Sequence, residues 1–401
     1  MLPAPHLTAP LWRREPYRIL FPLGGALGII AVLPFVFRGA GGGSLALFHS
    51  IAQVQGFLTC FVVGFLFTFV PRRTGTPAPA GWEMAAAVSF PVVAVAGAWG
   101  DAGVLPYVVW LALVAIVLAF TARRLRLGPA RGRVPAVFVW VPVSLAAGAV
   151  GAVLAAAAPA FGGGALRAWT IGRGLLVQGL VAGLVLGVGG FLVPQLTRGE
   201  AAPDLLDPAA RRRALAWHVL AAGAFFGSFP LESLYHYRLG VALRAAVATA
   251  VLVLVARIHR PPTVPGLHRR LVWLGAWLVP LGFWMGAIAP RLRGAALHVL
   301  FVGGFAQLAL AVATHVALSH GGRADRLLAA PPALRAMATL LAAAFGGRIL
   351  AGIDLSRVAG WLGVAGVAFT GAVTAWAALV VPTLFRGAPA GAPEEPGPPA
   401  R

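Results

Sequence analysis

Lysine is absent from all 401 residues, so the 32 basic side chains other than histidine are all arginines. Cysteine occurs once, at Cys60, which removes any disulfide framework, any CxxC site and covalent haem attachment through CxxCH. A lone apolar-flanked cysteine reads first as a small hydrophobe. Acidic residues number only 11, too few to furnish carboxylate cages for hard cations. No P-loop, GxSxG elbow, HExxH pair or Rossmann fingerprint occurs, so soluble enzyme chemistry has no visible support.

What is abundant is apolar surface. Hydrophobic residues make up 59% of the chain and charged ones 11%, more than a soluble domain of this length can hide. The apolar residues run continuously rather than alternating, which excludes a membrane barrel and leaves helices that satisfy their own backbone groups. The expected fold is an all-α integral membrane protein. At about 20 residues per crossing, twelve spans fit, near 18–37, 46–70, 83–99, 103–122, 134–157, 168–194, 213–231, 236–256, 271–289, 294–318, 332–352 and 358–383. The third is short, and the stretch 82–120 also reads as one hairpin turning at 99–103. The run after Arg13, Arg14 and Arg18 is too long for a signal peptide and reads as a retained first span.

The net charge of +21 is no nucleic-acid footprint, because the arginines sit in short loops and not in an aromatic-interleaved patch. With twelve spans, 23 of the 32 arginines fall on one side, including Arg72, Arg73, Arg123, Arg124, Arg211, Arg212, Arg213, Arg269, Arg270 and Arg323. That bias places both termini in the cytoplasm. Residues 1–386 read as a single polytopic domain, with halves 18–196 and 213–385 divided by the polar connector 197–213. The Pro/Gly-rich tail 387–401 reads as disordered. Pro22, Pro71, Pro194 and Pro382 read as helix ends, the second span breaking at Pro71 before two arginines.

Six of the nine histidines fall at or inside span ends. His49, His236 and His298 lie toward the outer face, with Glu232, Arg238, Arg291 and Arg293; His218, His315 and His320 lie toward the cytoplasm. His298 and His315 are seventeen residues apart, about 25 Å along a helix, so they cannot share one ion. His49 and His298, on different spans at similar depth, can offer imidazole nitrogen to a metal or haem iron, whereas a single interfacial histidine more commonly caps a helix. Arg291 and Arg293 suit propionates or another anion, or simply snorkel to the interface. Glu232 and His236, one turn apart, could form a proton relay or an ion pair. His6, His259 and His268 read as solvated tail and loop residues.

Four stretches together resemble the NnrS family of membrane proteins. EPYRILFPLG (15–24) is similar to that family's opening motif. FHSIAQVQGFLTCFVVGFLFTFVPRRTG (48–75) is similar to its His-led second span, GGFLVPQLT (189–197) to the end of its sixth, and ALHVLFVGGFAQLALAVATHVALSHGGR (296–323) to its His-led tenth. The order and spacing agree across nearly the whole chain. The chain departs from the pattern at Phe191, where a polar or basic residue is common, and at His315, where arginine is. Ser319 and Gly322 also differ, and Ile51 and Gln53 stand where a second histidine often occurs. These departures bear on the number of metal sites more than on the fold.

The resemblance implies a haem- and copper-containing protein of the bacterial cytoplasmic (inner) membrane. Its haem would be b-type and not covalently attached, its ligand nitric oxide or another small diatomic, and its role nitric-oxide metabolism or protection against nitrosative stress. His49 and His298 are then the preferred haem ligands, and His315, His320 and His218 the copper candidates. Whether it catalyses a reaction, and through which redox partner, is left open. A transporter of a metal or small anion using intramembrane histidine and arginine, or an accessory protein for haem–copper complexes, are the alternatives.

Overall fold

The computed structural model describes residues 9–38, 43–128, 134–201 and 207–385; His6 and the tail 387–401 lie outside them. Among the described residues there is no strand, and eleven helical segments are long and apolar enough to cross a membrane. One of these, Ala136–Arg198, has 63 residues. Fully extended as a helix it would be about 95 Å long, three times a bilayer core. It instead folds back where Gly162 leaves helical geometry (φ 53°, ψ −121°), and its two limbs pack on each other. The chain therefore makes twelve crossings. An even number brings the ends together, and Arg18 on the first span donates to the Leu384 carbonyl at the end of the last.

The remaining spans are Tyr17–Phe37, Ser44–Thr74, Gly81–Trp99, Leu105–Leu127, Ala209–Leu234, Tyr237–Leu254, Leu267–Ile288, Pro290–His320, Pro332–Ile353 and Leu355–Leu384. The third and fourth form the hairpin foreseen for 82–120. Asp101 and Gly103 make the turn with left-handed backbone. The second span is the most enclosed: 83% of its most apolar window is buried, against 28% for the seventh and eleventh, which present their sides outward. Val150, Leu166 and Leu220 are exposed, as lipid contact requires and water contact would penalise.

Prolines do not end these helices as expected. Pro22 lies within the first span. The second continues through Pro71, Arg72 and Arg73 and stops at Gly75, which takes the left-handed conformation (φ 68°). A proline in the last turn forfeits one backbone bond, and neighbouring helices in a bundle hold the rest in place. The ninth span likewise begins at Leu267, four residues earlier than expected, so that His268 and both following arginines belong to its first turn.

Small residues let the helices approach. A Cβ on Gly24 would meet the Phe61 ring at 2.8 Å, and one on Gly28 the Phe57 ring at 2.9 Å. The first two spans thus interlock by aromatic rings seated over glycines, the packing that replaces hydrophobic drive inside lipid. That interlock fixes how the second span presents His49.

Candidate functional site: two layers of histidine

Four stretches of the bundle are π-helical, a rare form that concentrates at functional sites. Three of them start at or just after a polar residue near the same end of the molecule. Ala52–Leu58 follows His49 by three residues, Gly174–Gly179 follows Arg173 directly, and Val299–Ala306 follows His298 directly. The extra residue per turn widens each helix where these side chains emerge.

His49 Nδ1 lies 3.0 Å from the Ala31 carbonyl on the first span. His298 Nδ1 lies 2.7 Å from the Gly294 carbonyl and 3.2 Å from Arg348 Nη2. At His298 the two contacts make opposite demands, the carbonyl for a proton on Nδ1 and the Arg348 guanidinium for a lone pair there, and the shorter contact favours the proton. In both residues Nε2 is then the bare nitrogen. A backbone carbonyl behind Nδ1 is the usual support of a ligating imidazole. Arg348 acts electrostatically on both imidazoles, and His49 acts on His298, so the second, tenth and eleventh spans converge there. Phe35 closes on His49 edge-on, with ring centroids 5.1 Å apart. As a donor set, two imidazoles beside a guanidinium would suit a haem, the imidazoles serving its iron and the guanidinium a propionate.

The arginines that reach this layer are Arg348 and Arg173. Arg293 instead donates to Glu232 at 3.3 Å and lies over the Tyr237 ring, and Arg291 is exposed on a short 3₁₀ turn. Glu232 also binds Arg244, at 2.7 Å. Arg244 is 1% exposed and fully engaged: it donates to Ser228 and Gln178 at 3.1 Å and stacks on Phe229 at 3.5 Å. His236 accepts from the Leu239 amide as a helix cap. An arginine well inside an apolar span, beyond the one near its start (Arg238 and Arg335), was the signal for both Arg244 and Arg348.

The opposite end holds a second layer. His268, read from the sequence as a solvated loop residue, is fully buried; its Nε2 is 3.2 Å from His315 Nδ1, with the rings stacked. The correction follows from the earlier start of the ninth span, which turns His268 inward. Its Nδ1 has no protein partner. His320 acts electrostatically on His315 and accepts from Arg72 at 3.0 Å. Arg72 in turn donates to Glu15 at 2.9 Å, and Tyr17 and Arg18 complete the shell around that carboxylate. Burial alone would raise the Glu15 pKa, but the bonds and charges of Arg18, Tyr17 and Arg72 outweigh it and hold the group below its ordinary value. His218 stands elsewhere on the seventh span, accepting from Trp140 Nε1 at 3.2 Å and packing on Trp217. Among the described residues no three histidine, cysteine or acidic side chains gather as a metal set, so each layer offers donors in pairs and not a tetrahedral cage.

Twelve helical crossings around imidazoles paired at two ends of the bundle, most of them half-buried, define a polytopic membrane protein. The match to a family model makes this specific: residues 10–387 match NnrS protein, and the chain belongs to the NnrS family. Membership supports, at the level of the family, a membrane protein associated with nitric oxide. No curated protein matches the sequence.

Proposed function

We propose that this protein is a haem- and copper-carrying membrane protein that takes part in nitric-oxide metabolism or protection against nitrosative stress, with haem held near the outer face by His49 and His298. The observation that carries the reading is the pair of carbonyl-supported imidazoles, each with a bare Nε2, beside Arg348. Family membership across nearly the whole chain adds to it. Haem iron would supply redox chemistry and, where one of the two imidazoles gives way, a coordination position for a diatomic ligand.

The chain's own residues do the rest. Ala31 and Gly294 orient the two imidazoles and fix their tautomers through the Nδ1 bonds. Arg348 supplies positive charge for a propionate. Phe35 and Phe301 pack edge-on against the imidazoles and keep water from them, while an apolar diatomic can arrive through the lipid. Copper is assigned to the His268–His315 pair, with His320 nearby, since imidazoles with few carboxylates suit copper better than hard cations.

The test is an optical spectrum and metal analysis of the purified protein, before and after nitric oxide is added anaerobically. A Soret band that shifts on addition supports the reading. Colourless, metal-free protein that carries an anion or metal into liposomes would replace it with transport.

A further inference from the structure

A second polar cavity lies close to His49 but faces away from the first span. It has room for one small guest, a water molecule or a small inorganic anion, and sits between the second, fourth and sixth spans. Its polar lining is Ser50, Gln55, Tyr107 and Arg173. Two π-helical stretches form its walls, one containing Gln55 and the other starting beside Arg173.

Gln55 is fully buried, and neither its Nε2 nor its Oε1 has a protein partner. An amide stranded in an apolar interior is costly unless something occupies the space it faces. Ser50 Oγ is committed to the Leu47 carbonyl at 2.9 Å, and so does not relieve it. Arg173, half-buried, brings a cation to the cavity's lining. Its guanidinium lies beside the Trp169 ring, and no carboxylate pairs with it among the described residues. The charged group acting on it is Arg293, of the same sign, and the polar one is the Tyr107 phenol.

We propose that this cavity binds a small monovalent inorganic anion. The geometry presents a guanidinium, a phenol hydroxyl and an amide N–H as donors, with a positive charge that no carboxylate among the described residues pairs with. Water alone could satisfy Gln55 but would leave that charge uncompensated. A lipid phosphate or inorganic phosphate is too large for the space. Because Arg173 also acts electrostatically on His49, an anion here weakens the positive field at that imidazole.

The test uses the full chain in detergent, purified in a gluconate buffer and titrated calorimetrically with bromide, chloride, nitrite or inorganic phosphate. Bromide also reports its position by anomalous diffraction from crystals. The expected result is saturable binding of a halide or nitrite, no binding of phosphate, and bromide density among Gln55, Tyr107 and Arg173. Removing the charge with Arg173→Gln should weaken binding roughly tenfold or more, as loss of a charge-assisted bond does. Gln55→Met, which removes a stranded amide and should leave the fold intact, should weaken it less. Absence of saturable binding by folded protein would overturn the proposal, as would binding unchanged in both variants. The readout needs no metal, so it stands or falls separately from the haem assignment.

Discussion

The two histidine layers use the same side chain in opposite ways. Near His49 the imidazoles are held by backbone carbonyls, which leaves one nitrogen of each free, and among the described residues no carboxylate pairs with the neighbouring Arg348 and Arg173. Near His320 the imidazoles bind one another and Arg72, and a carboxylate anchors the whole cluster. The first layer is thus supported from behind and open in front. The second is tied through side chains to the ends of the first, second and tenth spans. Backbone support survives when a side chain changes; a side-chain network does not. That difference ranks the expected consequences of mutation.

The largest effect belongs to neither layer but to the ion pair that braces the His49 end. Glu232→Ala strands Arg244 in the interior and should lower stability by about 3–5 kcal/mol. Thermal unfolding in detergent measures this, and a shift no larger than that of a surface substitution would mean that Arg244 finds another partner. Next comes His268→Ala, which leaves His315 without its stacked partner. Copper content should fall while the haem spectrum stays, at a stability cost of roughly 1–3 kcal/mol. Parallel loss of haem would erase the division into two layers. The smallest effect is on pH. The Glu15 pKa is below its free value of about 4.3. The carboxylate therefore contributes stability above that pH, and the contribution fades as acid carries the group through its depressed value. Glu15→Gln should flatten this acid limb in unfolding curves, and an unchanged limb would assign it to another carboxylate.

Much of this was legible in the sequence, because hydropathy and arginine bias report spans directly. Twelve crossings and the hairpin at 82–120 needed no tertiary information. What could not be read were consequences of packing. His268 lies two residues after Gly266 and precedes Arg269 and Arg270, a pattern that looks like loop, yet the helix has already begun and its register turns the ring inward. Arg348 is fifty residues beyond His298 and on another span, so nothing local joins them. The π-helical stretches have no period that a sequence shows. Conversely, Glu15, Arg72 and His320 come from three separate stretches of the sequence, and only the fold brings them together at one end.

The central claim is that the His49 layer, and not the His320 layer, holds the haem. It is tested most directly by measuring haem per protein in His49→Ala, His298→Ala and His315→Ala, each checked for folding by its unfolding transition. The first two should lose the Soret band or shift it to a form with an altered axial ligand, while His315→Ala keeps the parent spectrum. Full haem content and an unaltered spectrum in both outer variants, with loss in His315→Ala, would contradict the account.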